Sequence, residues 1–191
     1  MRKHINIVRK CSMAIFAMMF ISGSTIFAQG KYFTREGNIQ FKSEAPMEKI
    51  EAKNNKVSSV IDTKSGKVEF AVLIKSFHFE KALMQEHFNE NYMESDKFPK
   101  STFAGNITNL KDINFTKDGT YKANVSGKLT IHGVTKDVAT AGMIKVKGGV
   151  VNVTNTFRVK LADYGIEIPS VVKDKIAKDV EIIINSDLKA M

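Results

Sequence analysis

The chain has 191 residues, with 29 Lys and Arg against 20 Asp and Glu, and a formal net charge of +9. This length suits one domain, and nucleic-acid binding is disfavoured because only Arg35 and Arg158 represent arginine after residue 28. The single cysteine, Cys11, lies near the start, so the rest of the chain has neither disulfide nor thiol chemistry.

The first 28 residues have the three parts of a secretory signal peptide. Four Lys and Arg residues within the first ten positions precede the apolar run Met13–Ile21, and small residues lead from there to Ala28. A run of this length is too short to cross a hydrocarbon core, which takes about 20 residues. We therefore predict cleavage after Ala28 and export, to the periplasm in the first place or to the extracellular space. The domain then comprises residues 29–191, in which 25 basic and 20 acidic residues leave a net charge of +5.

Most of this domain alternates between apolar and polar residues, which is the period-two pattern of a strand with one buried face. The predicted strands are Lys31–Gln40, Ile50–Lys53, Lys56–Asp62, Lys67–Phe77, Ser101–Phe115, Thr120–Ile131, Val134–Lys147, Val150–Ala162 and Asp179–Leu188. Turn dipeptides separate several of them, namely Ser65-Gly66, Asp118-Gly119, His132-Gly133 and Gly148-Gly149. Strands of about 12 residues span ~40 Å, which favours an elongated up-and-down barrel over a compact sandwich.

The hairpin around His132 and Gly133 shows the alternation most clearly. Before the turn, the apolar parity comprises Tyr121, Ala123, Val125, Leu129 and Ile131, broken only by Gly127. After the turn, it comprises Val134, Val138, Ile144 and Val146. Long strands with one apolar face indicate a deep container.

The segment Phe79–Met93 has the period of a helix instead. Its apolar side chains fall on one side of a 3.6-residue helix: Phe79, Leu83, Met84, Phe88 and Tyr92. The pattern predicts one amphipathic helix of about three turns. A lone helix in a β chain closes a barrel end or packs against it, and both a fixed cap and a mobile lid for ligand entry are consistent with the sequence.

No pattern typical of an enzyme or a metal site is found. His78, His87 and His132 lack the i, i+4 spacing that places two ligands on one helical face. Nucleophile-elbow and phosphate-binding glycine motifs are absent, and no spacing selects a pair from the carboxylates Asp62, Asp112, Asp163 and Glu181. We predict no catalytic residue, no metal and no cofactor.

Three motifs in this order resemble the YceI-like family: FPKSTF at Phe98–Phe103, LTIHGVTK at 129–136, and FRVKLADYGIEIP at Phe157–Pro169. The resemblance runs from about Ile50 to the C-terminus. Members of that family are exported, lipocalin-like barrels that bind polyisoprenoid lipids. The resemblance therefore implies an all-β, elongated antiparallel up-and-down barrel of about eight strands with one short amphipathic helix, and an apolar channel that holds an isoprenoid chain lengthwise.

The aromatic residues suit such a channel. Thirteen phenylalanines and no tryptophan supply bulky apolar side chains without a polar group. An eight-stranded barrel is either filled by its side chains or holds one small ligand, and the alternation does not distinguish the two. With the channel that the resemblance implies, the predicted lining residues are Phe70, Val72, Ile74, Phe77, Phe79, Leu83, Phe88, Tyr92, Phe103, Val125, Leu129, Ile131, Phe157, Val159, Tyr164 and Ile166.

Two polar residues are candidates for contact with a lipid head group. His132 can either bond the turn backbone or contact a head group at the barrel mouth, and its place on the polar parity favours the structural role. The ring of Tyr164 can fill the barrel while its hydroxyl reaches a polar partner.

The sequence thus predicts an exported protein that binds an amphiphilic isoprenoid or quinone-type lipid, for sequestration or transport without chemistry. A transient contact with a membrane surface is the other expected interaction, and no oligomeric state is indicated. Two alternatives stay open. One is an envelope interaction module with a filled core, and the other is an enzyme acting on the bound lipid, which requires His132 or Tyr164 to face the cavity beside a carboxylate.

Overall fold

The computed structural model describes residues 30–191, so the predicted signal peptide lies outside the described residues. Within this range there are nine strands: β1 Lys31–Glu44, β2 Lys49–Asp62, β3 Lys67–Leu73, β4 His78–Phe79, β5 Lys100–Ile107, β6 Gly119–Ile131, β7 Val134–Lys147, β8 Val150–Lys160 and β9 Asp179–Ala190. One short helix, α1, spans Ala82–His87.

Eight of these strands close into an antiparallel barrel. Each barrel strand pairs with the next along the chain, in the order β1–β2–β3–β5–β6–β7–β8–β9, and β9 pairs back with β1. The ninth, β4, is a two-residue strand that pairs with Ala52 and Lys53 of β2. The predicted all-β up-and-down barrel of about eight strands with one short helix is confirmed.

Two predicted strands are parts of one. Ile50–Lys53 and Lys56–Asp62 both belong to β2, and the register of β1 against β2 shifts where they join. The buried side chains of β2 change parity there, from Asn54 to Val57, as expected at a β-bulge. The interrupted alternation is therefore a bulge within a strand and not a turn between strands.

Two other predicted strands are too long at their C-terminal ends. The strand predicted over Lys67–Phe77 ends at Leu73 in the structure, because Ile74–Ser76 form a 3₁₀ turn. Ser101–Phe115 ends at Ile107. The other predicted strands agree with the structure to within four residues at each end.

The predicted helix is present but shorter than expected. After α1, the chain continues as one turn of π-helix over Phe88–Tyr92. Phe79 is not helical, because its backbone pairs with Ala52 as part of β4. The prediction of a helix over Phe79–Met93 was therefore wrong at its start. Within residues 30–191, no helix has the length and apolar character needed to cross a bilayer.

The connections define two ends of the barrel. At one end, which we call the base, they are residues 63–66, 108–118 and 148–149. At the opposite end, which we call the mouth, they are residues 45–48, 74–99, 132–133 and 161–178. The mouth thus carries the long connections, including α1, whereas the base carries two tight turns and one loop.

The base half of the barrel is filled by packed side chains. Its core, which we call the base cluster, consists of Tyr32, Ile61, Val68, Ile107, Ile113, Ala123, Ile144, Val146, Val151 and Leu188. Val151 and Leu188 are fully buried. Ile113 comes from the loop 108–118, and Phe115 of the same loop packs against the cluster. This loop therefore closes the base.

A deep apolar cavity as the candidate functional site

The mouth half of the barrel encloses a cavity of about 570 Å³. Ligand pockets in proteins measure about 300–1,000 Å³. All eight barrel strands contribute inward-facing side chains to its lining. Along β8 the lining extends from Val153 to Val159, which is roughly 20 Å at 3.3 Å per residue. The barrel is thus filled towards the base and hollow towards the mouth.

The base cluster forms the floor of this cavity. Five of its members also line the cavity: Ile61, Val68, Ile107, Ala123 and Ile144. Below them, Val151 and Leu188 leave no exposed surface. An occupant of the cavity therefore meets packed side chains at its inner end.

Four phenylalanines form one wall of the cavity near the mouth. The centroid of the Phe88 ring lies 5.4 Å from that of Phe41, 5.5 Å from Phe77 and 5.0 Å from Phe79. Such aromatic pairs contribute about 0.5–1.5 kcal/mol each beyond the area they bury. Because Phe88 begins the π-turn that follows α1, this cluster fixes the C-terminal half of the helical segment to the barrel.

Three segments meet at the rim of the mouth, namely residues 45–48, the start of α1, and residues 170–177. The backbone N–H of Met47 donates to the carbonyl of Asp174 at 3.0 Å. Lys81 Nζ lies 3.3 Å from Glu48 Oε1. These contacts tie the three segments into one rim.

The rim carries both charge and exposed apolar surface. Among the described lining residues, the carboxylate and ammonium groups lie here, namely Glu48, Lys81 and Lys175, whereas the imidazole of His87 is at the end of α1. Each rim segment also exposes one large apolar side chain, namely Met47 at 71%, Leu83 at 60% and Val171 at 87%.

One wall of the cavity is not continuous. Strands β7 and β8 pair over only six residues each, on the base side, and this pairing ends at Gly142 and Asn155. Towards the mouth, residues 134–141 of β7 and 156–160 of β8 do not pair with each other in the described structure. Thr140 Oγ1 donates to Asn155 Oδ1 at 3.2 Å where the two strands begin to separate. We call this region the β7–β8 gap.

The structure places fifteen of the sixteen predicted lining residues around the cavity. They are Phe70, Val72, Ile74, Phe77, Phe79, Leu83, Phe88, Tyr92, Phe103, Val125, Leu129, Ile131, Phe157, Val159 and Ile166. Burial raises the pKa of the Tyr92 phenol above its ordinary value of 10.0. That these side chains contact a lipid stays a prediction.

Tyr164 and His132 lie outside the cavity lining. Tyr164 is buried against the barrel, and burial, followed by the Asp163 carboxylate, raises the pKa of its phenol. His132 Nε2 lies 2.7 Å from Glu94 Oε2, and His132 Nδ1 lies 3.2 Å from the carbonyl oxygen of Tyr164. The imidazole thus joins three mouth connections, which supports its structural role. Contact of either residue with a head group stays a prediction.

No arrangement typical of catalysis is found in the described part of the chain. The enzyme alternative requires His132 or Tyr164 to face the cavity, and neither residue does so. Among residues 30–191, no three His, Cys, Asp or Glu side chains come together in a way that could hold a metal ion.

Sequence reasoning missed several lining residues. The predicted first strand ends at Gln40 and so leaves out Phe41, although Phe41 continues the parity of Ile39. Thr140 and Asn155 are polar residues at inward positions of β7 and β8, which a purely apolar pattern does not identify. A polar residue at an inward position in each of two adjacent strands is the signal that could have identified them.

Comparisons with known proteins agree with this architecture. A model of the YceI-like domain matches residues 31–188. A polyisoprenoid binding domain from Saccharophagus degradans, implicated in plant cell wall breakdown, has a TM-score of 0.74 at 16% identity, covering 85% of this chain and 99% of that one. BcnA from Burkholderia cenocepacia has a TM-score of 0.65 at 18% identity, with coverages of 80% and 95%. A Campylobacter jejuni YceI protein has a TM-score of 0.54 at 18% identity, with coverages of 71% and 82%. Among curated protein sequences there was no significant match.

Proposed function

The chain belongs to the YceI-like domain family, and from this premise we propose that it binds an isoprenoid or quinone-type lipid in the barrel cavity without acting on it chemically. The observation that carries this proposal is the hollow itself, about 570 Å³ in volume, floored by the base cluster and open at the mouth. The polyisoprenoid binding domain among the structures of similar fold supports this class of ligand.

The lining suits a long apolar chain better than a polar ligand. The lining carboxylate and ammonium groups lie at the rim, and mostly apolar side chains from all eight barrel strands surround the rest of the cavity. Burying apolar chain gains about 0.8 kcal/mol per CH₂ group relative to water. A lipid that leaves a membrane gains little of this, and ordering its tail costs free energy. Binding should therefore be selective for length and head group rather than very tight.

The rim suits a transient contact with a membrane surface. Met47, Leu83 and Val171 are large, apolar and exposed, and they lie on the three segments around the mouth. Inserting these side chains among lipid head groups would bring the cavity mouth to the bilayer. Together with export by the predicted signal peptide, this favours sequestration or transport of the lipid outside the cytoplasm, in the periplasm in the first place.

The alternative of an interaction module with a filled core is not favoured by this geometry. Packed side chains fill the base half, but the mouth half is hollow. An interaction module requires no such hollow, whereas a lipid carrier does.

Native mass spectrometry of residues 29–191 tests the proposal. After gentle purification, we expect a co-purified lipid, and the delipidated protein should take up a chain from a mixture of isoprenoids. A cavity-blocking variant, Val125→Trp, should take up less, because Val125 lines the cavity on β6. The matched control is Lys122→Trp, which is exposed on the same strand and should bind as the unmodified protein does. A folded protein that neither carries nor gains an isoprenoid would overturn the proposal.

A further inference from the structure

We propose that Thr140 and Asn155 form a hydrogen-bonding subsite in the cavity for an uncharged acceptor group of the lipid, such as a quinone carbonyl. This inference rests on the proposed lipid binding and adds the chemistry of the head group to it. The subsite lies at the β7–β8 gap, at mid-height of the barrel and away from the charged rim.

The two residues are polar and line the cavity from adjacent strands, as does the neighbouring Thr154. On β8, Asn155 is an inward position between Val153 and Phe157, and all three line the cavity. On β7, Thr140 occupies an inward position next to Gly142, and both also line the cavity. Both side chains are half-buried, so their polar groups are accessible to a polar group of a ligand in the cavity.

The hydrogen-bonding capacity of Asn155 is only partly used. A primary amide offers one carbonyl oxygen and two N–H donors. Within the described structure, Asn155 makes one side-chain hydrogen bond, in which its Oδ1 accepts from Thr140 Oγ1 at 3.2 Å. Thr140 thereby orients the amide, and the Nδ2 donors are left for a ligand. The donors fit an acceptor oxygen.

The strand pairing leaves space for this amide. Gly142 lies directly opposite Asn155 in the β7–β8 register. A Cβ atom at position 142 would clash first with the backbone carbonyl oxygen of Thr154, and it would lie only 3.1 Å from Asn155 Cβ and 3.2 Å from Asn155 Cγ. Any side chain at that position would therefore displace the backbone of β8 together with the amide. The absence of a side chain at Gly142, together with the separation of the two strands, gives Asn155 room beside a bound head group.

The electrostatics favour a neutral ligand group at this position. The lining ammonium groups, Lys81 and Lys175, belong to the rim. A phosphate held next to Asn155 would be an anion in an apolar cavity without a cation beside it, which is strongly unfavourable. A carbonyl has no such penalty and gains a hydrogen bond.

Ligands that share a phytyl-type tail test the subsite. The probes are phylloquinone, which has two carbonyl acceptors, the hydrocarbon phytane, and phytyl phosphate. We expect the unmodified protein to bind phylloquinone more tightly than phytane. The variant Asn155→Leu should lower this preference about five- to tenfold, since one net hydrogen bond is lost, while its affinity for phytane is kept.

Two further variants keep the test interpretable. Asn155→Asp preserves the shape but removes the amide donor, and it should also lose the preference for phylloquinone. The matched control, Asn152→Leu, lies on the same strand, where Asn152 bonds Asn185 and Asp187 away from the cavity, and it should keep the preference. In the infrared spectrum, a carbonyl band of bound phylloquinone should lie at lower frequency in the unmodified protein than in Asn155→Leu.

The outcomes separate the subsite from the lipid-binding proposal. An equal phylloquinone-to-phytane ratio in the unmodified protein and both Asn155 variants would overturn the subsite alone. Tighter binding of phytyl phosphate than of phylloquinone would also overturn it. Failure of the folded, unmodified protein to bind any of the three probes would overturn the subsite and the lipid-binding proposal together.

Discussion

At the residue scale, His132 shows how one side chain can hold the connections at the mouth. Its backbone has φ +50°, and that of its partner Glu94 has φ +42°, in the left-handed region that is unusual for residues other than glycine. The two side chains meet at 2.7 Å, and the Phe98 ring packs edge-on against the imidazole, with centroids 4.7 Å apart. These contacts stabilise two turns that would otherwise be strained.

The first prediction concerns this residue. His132→Ala removes both hydrogen bonds of the imidazole and leaves the Tyr164 carbonyl without its partner. We expect the free energy of unfolding to fall by about 1–3 kcal/mol, measured by urea denaturation, while lipid uptake is unchanged. The control His78→Ala, at an exposed position, should change stability by less than about 0.5 kcal/mol. Loss of lipid uptake at unchanged stability would show instead that His132 contacts the ligand.

Much of the cavity lining is predictable residue by residue, because period two fixes which face of a strand is buried. Val125, Leu129 and Ile131 lie inward on β6 as their parity indicates. The β7–β8 gap is not predictable in this way. Thr140 and Asn155 look like ordinary polar residues until the strand pairing shows which side chains they face.

At the element scale, the turn between β2 and β3 shows how one side chain stabilises the turn at which a strand ends. Asp62 Oδ1 accepts hydrogen bonds from the backbone N–H groups of Lys64 at 2.9 Å and Ser65 at 3.0 Å. These two bonds hold the pKa of the Asp62 carboxyl below its ordinary value of 3.8. A carboxyl whose pKa is lower in the folded state stabilises the fold above pH 3.8, and that stability is lost as the pH falls through the folded pKa.

The second prediction follows from the lowered pKa of the Asp62 carboxyl. Asp62→Asn keeps an acceptor for the turn but removes the charge, so the variant should melt at a lower temperature than the unmodified protein at pH 6. The difference should shrink between pH 4 and pH 2, as Asp62 becomes protonated. Differential scanning calorimetry at several pH values measures this difference in melting temperature. Asp174→Asn, at an exposed position, is the control, and a difference for Asp62→Asn that does not vary with pH would contradict the prediction.

Elements were predicted least well where one pattern interrupts another. The bulge in β2 shifts the parity between Asn54 and Val57, which made one strand look like two. Phe79 fits the apolar side of a helix, but its backbone pairs with Ala52 across the barrel end. Periodicity reports which side chains share a face, whereas these boundaries depend on pairing with residues at least 15 positions away along the chain.

At the scale of the whole molecule, the barrel is divided into a filled half and a hollow half. The length of the alternating strands favours an up-and-down barrel over a sandwich, and the resemblance to the YceI-like family implies its closed, lipocalin-like form. The sequence does not predict the division, because filled and hollow barrels have the same inward apolar pattern. The difference lies in side-chain volume against barrel width, and in loop 108–118, whose Ile113 packs into the base.

The third prediction belongs to this scale and tests membrane contact. Replacing Met47, Leu83 and Val171 together by Ser removes the exposed apolar side chains of the rim. We expect phylloquinone transfer from phosphatidylcholine vesicles to slow by about fivefold or more, since less apolar area is buried in the bilayer. Stopped-flow fluorescence measures the transfer, and stability should be unchanged because all three side chains are exposed.

The matched control for this variant uses an exposed apolar residue at the base. Met191, which follows β9, is 70% exposed, and replacing it by Ser should leave the transfer rate as it is. Equal rates for the rim variant and this control would show that the rim does not contact the bilayer.

The closed base has a consequence for lipid exchange under the proposed function. Because packed side chains close the base, a lipid that enters at the mouth also leaves there, and a bound molecule must dissociate before another binds. Net transfer would then depend on the supply of donor and acceptor rather than on a direction built into the barrel. A lipid chain longer than the cavity would extend out of the mouth, where an acceptor could bind it.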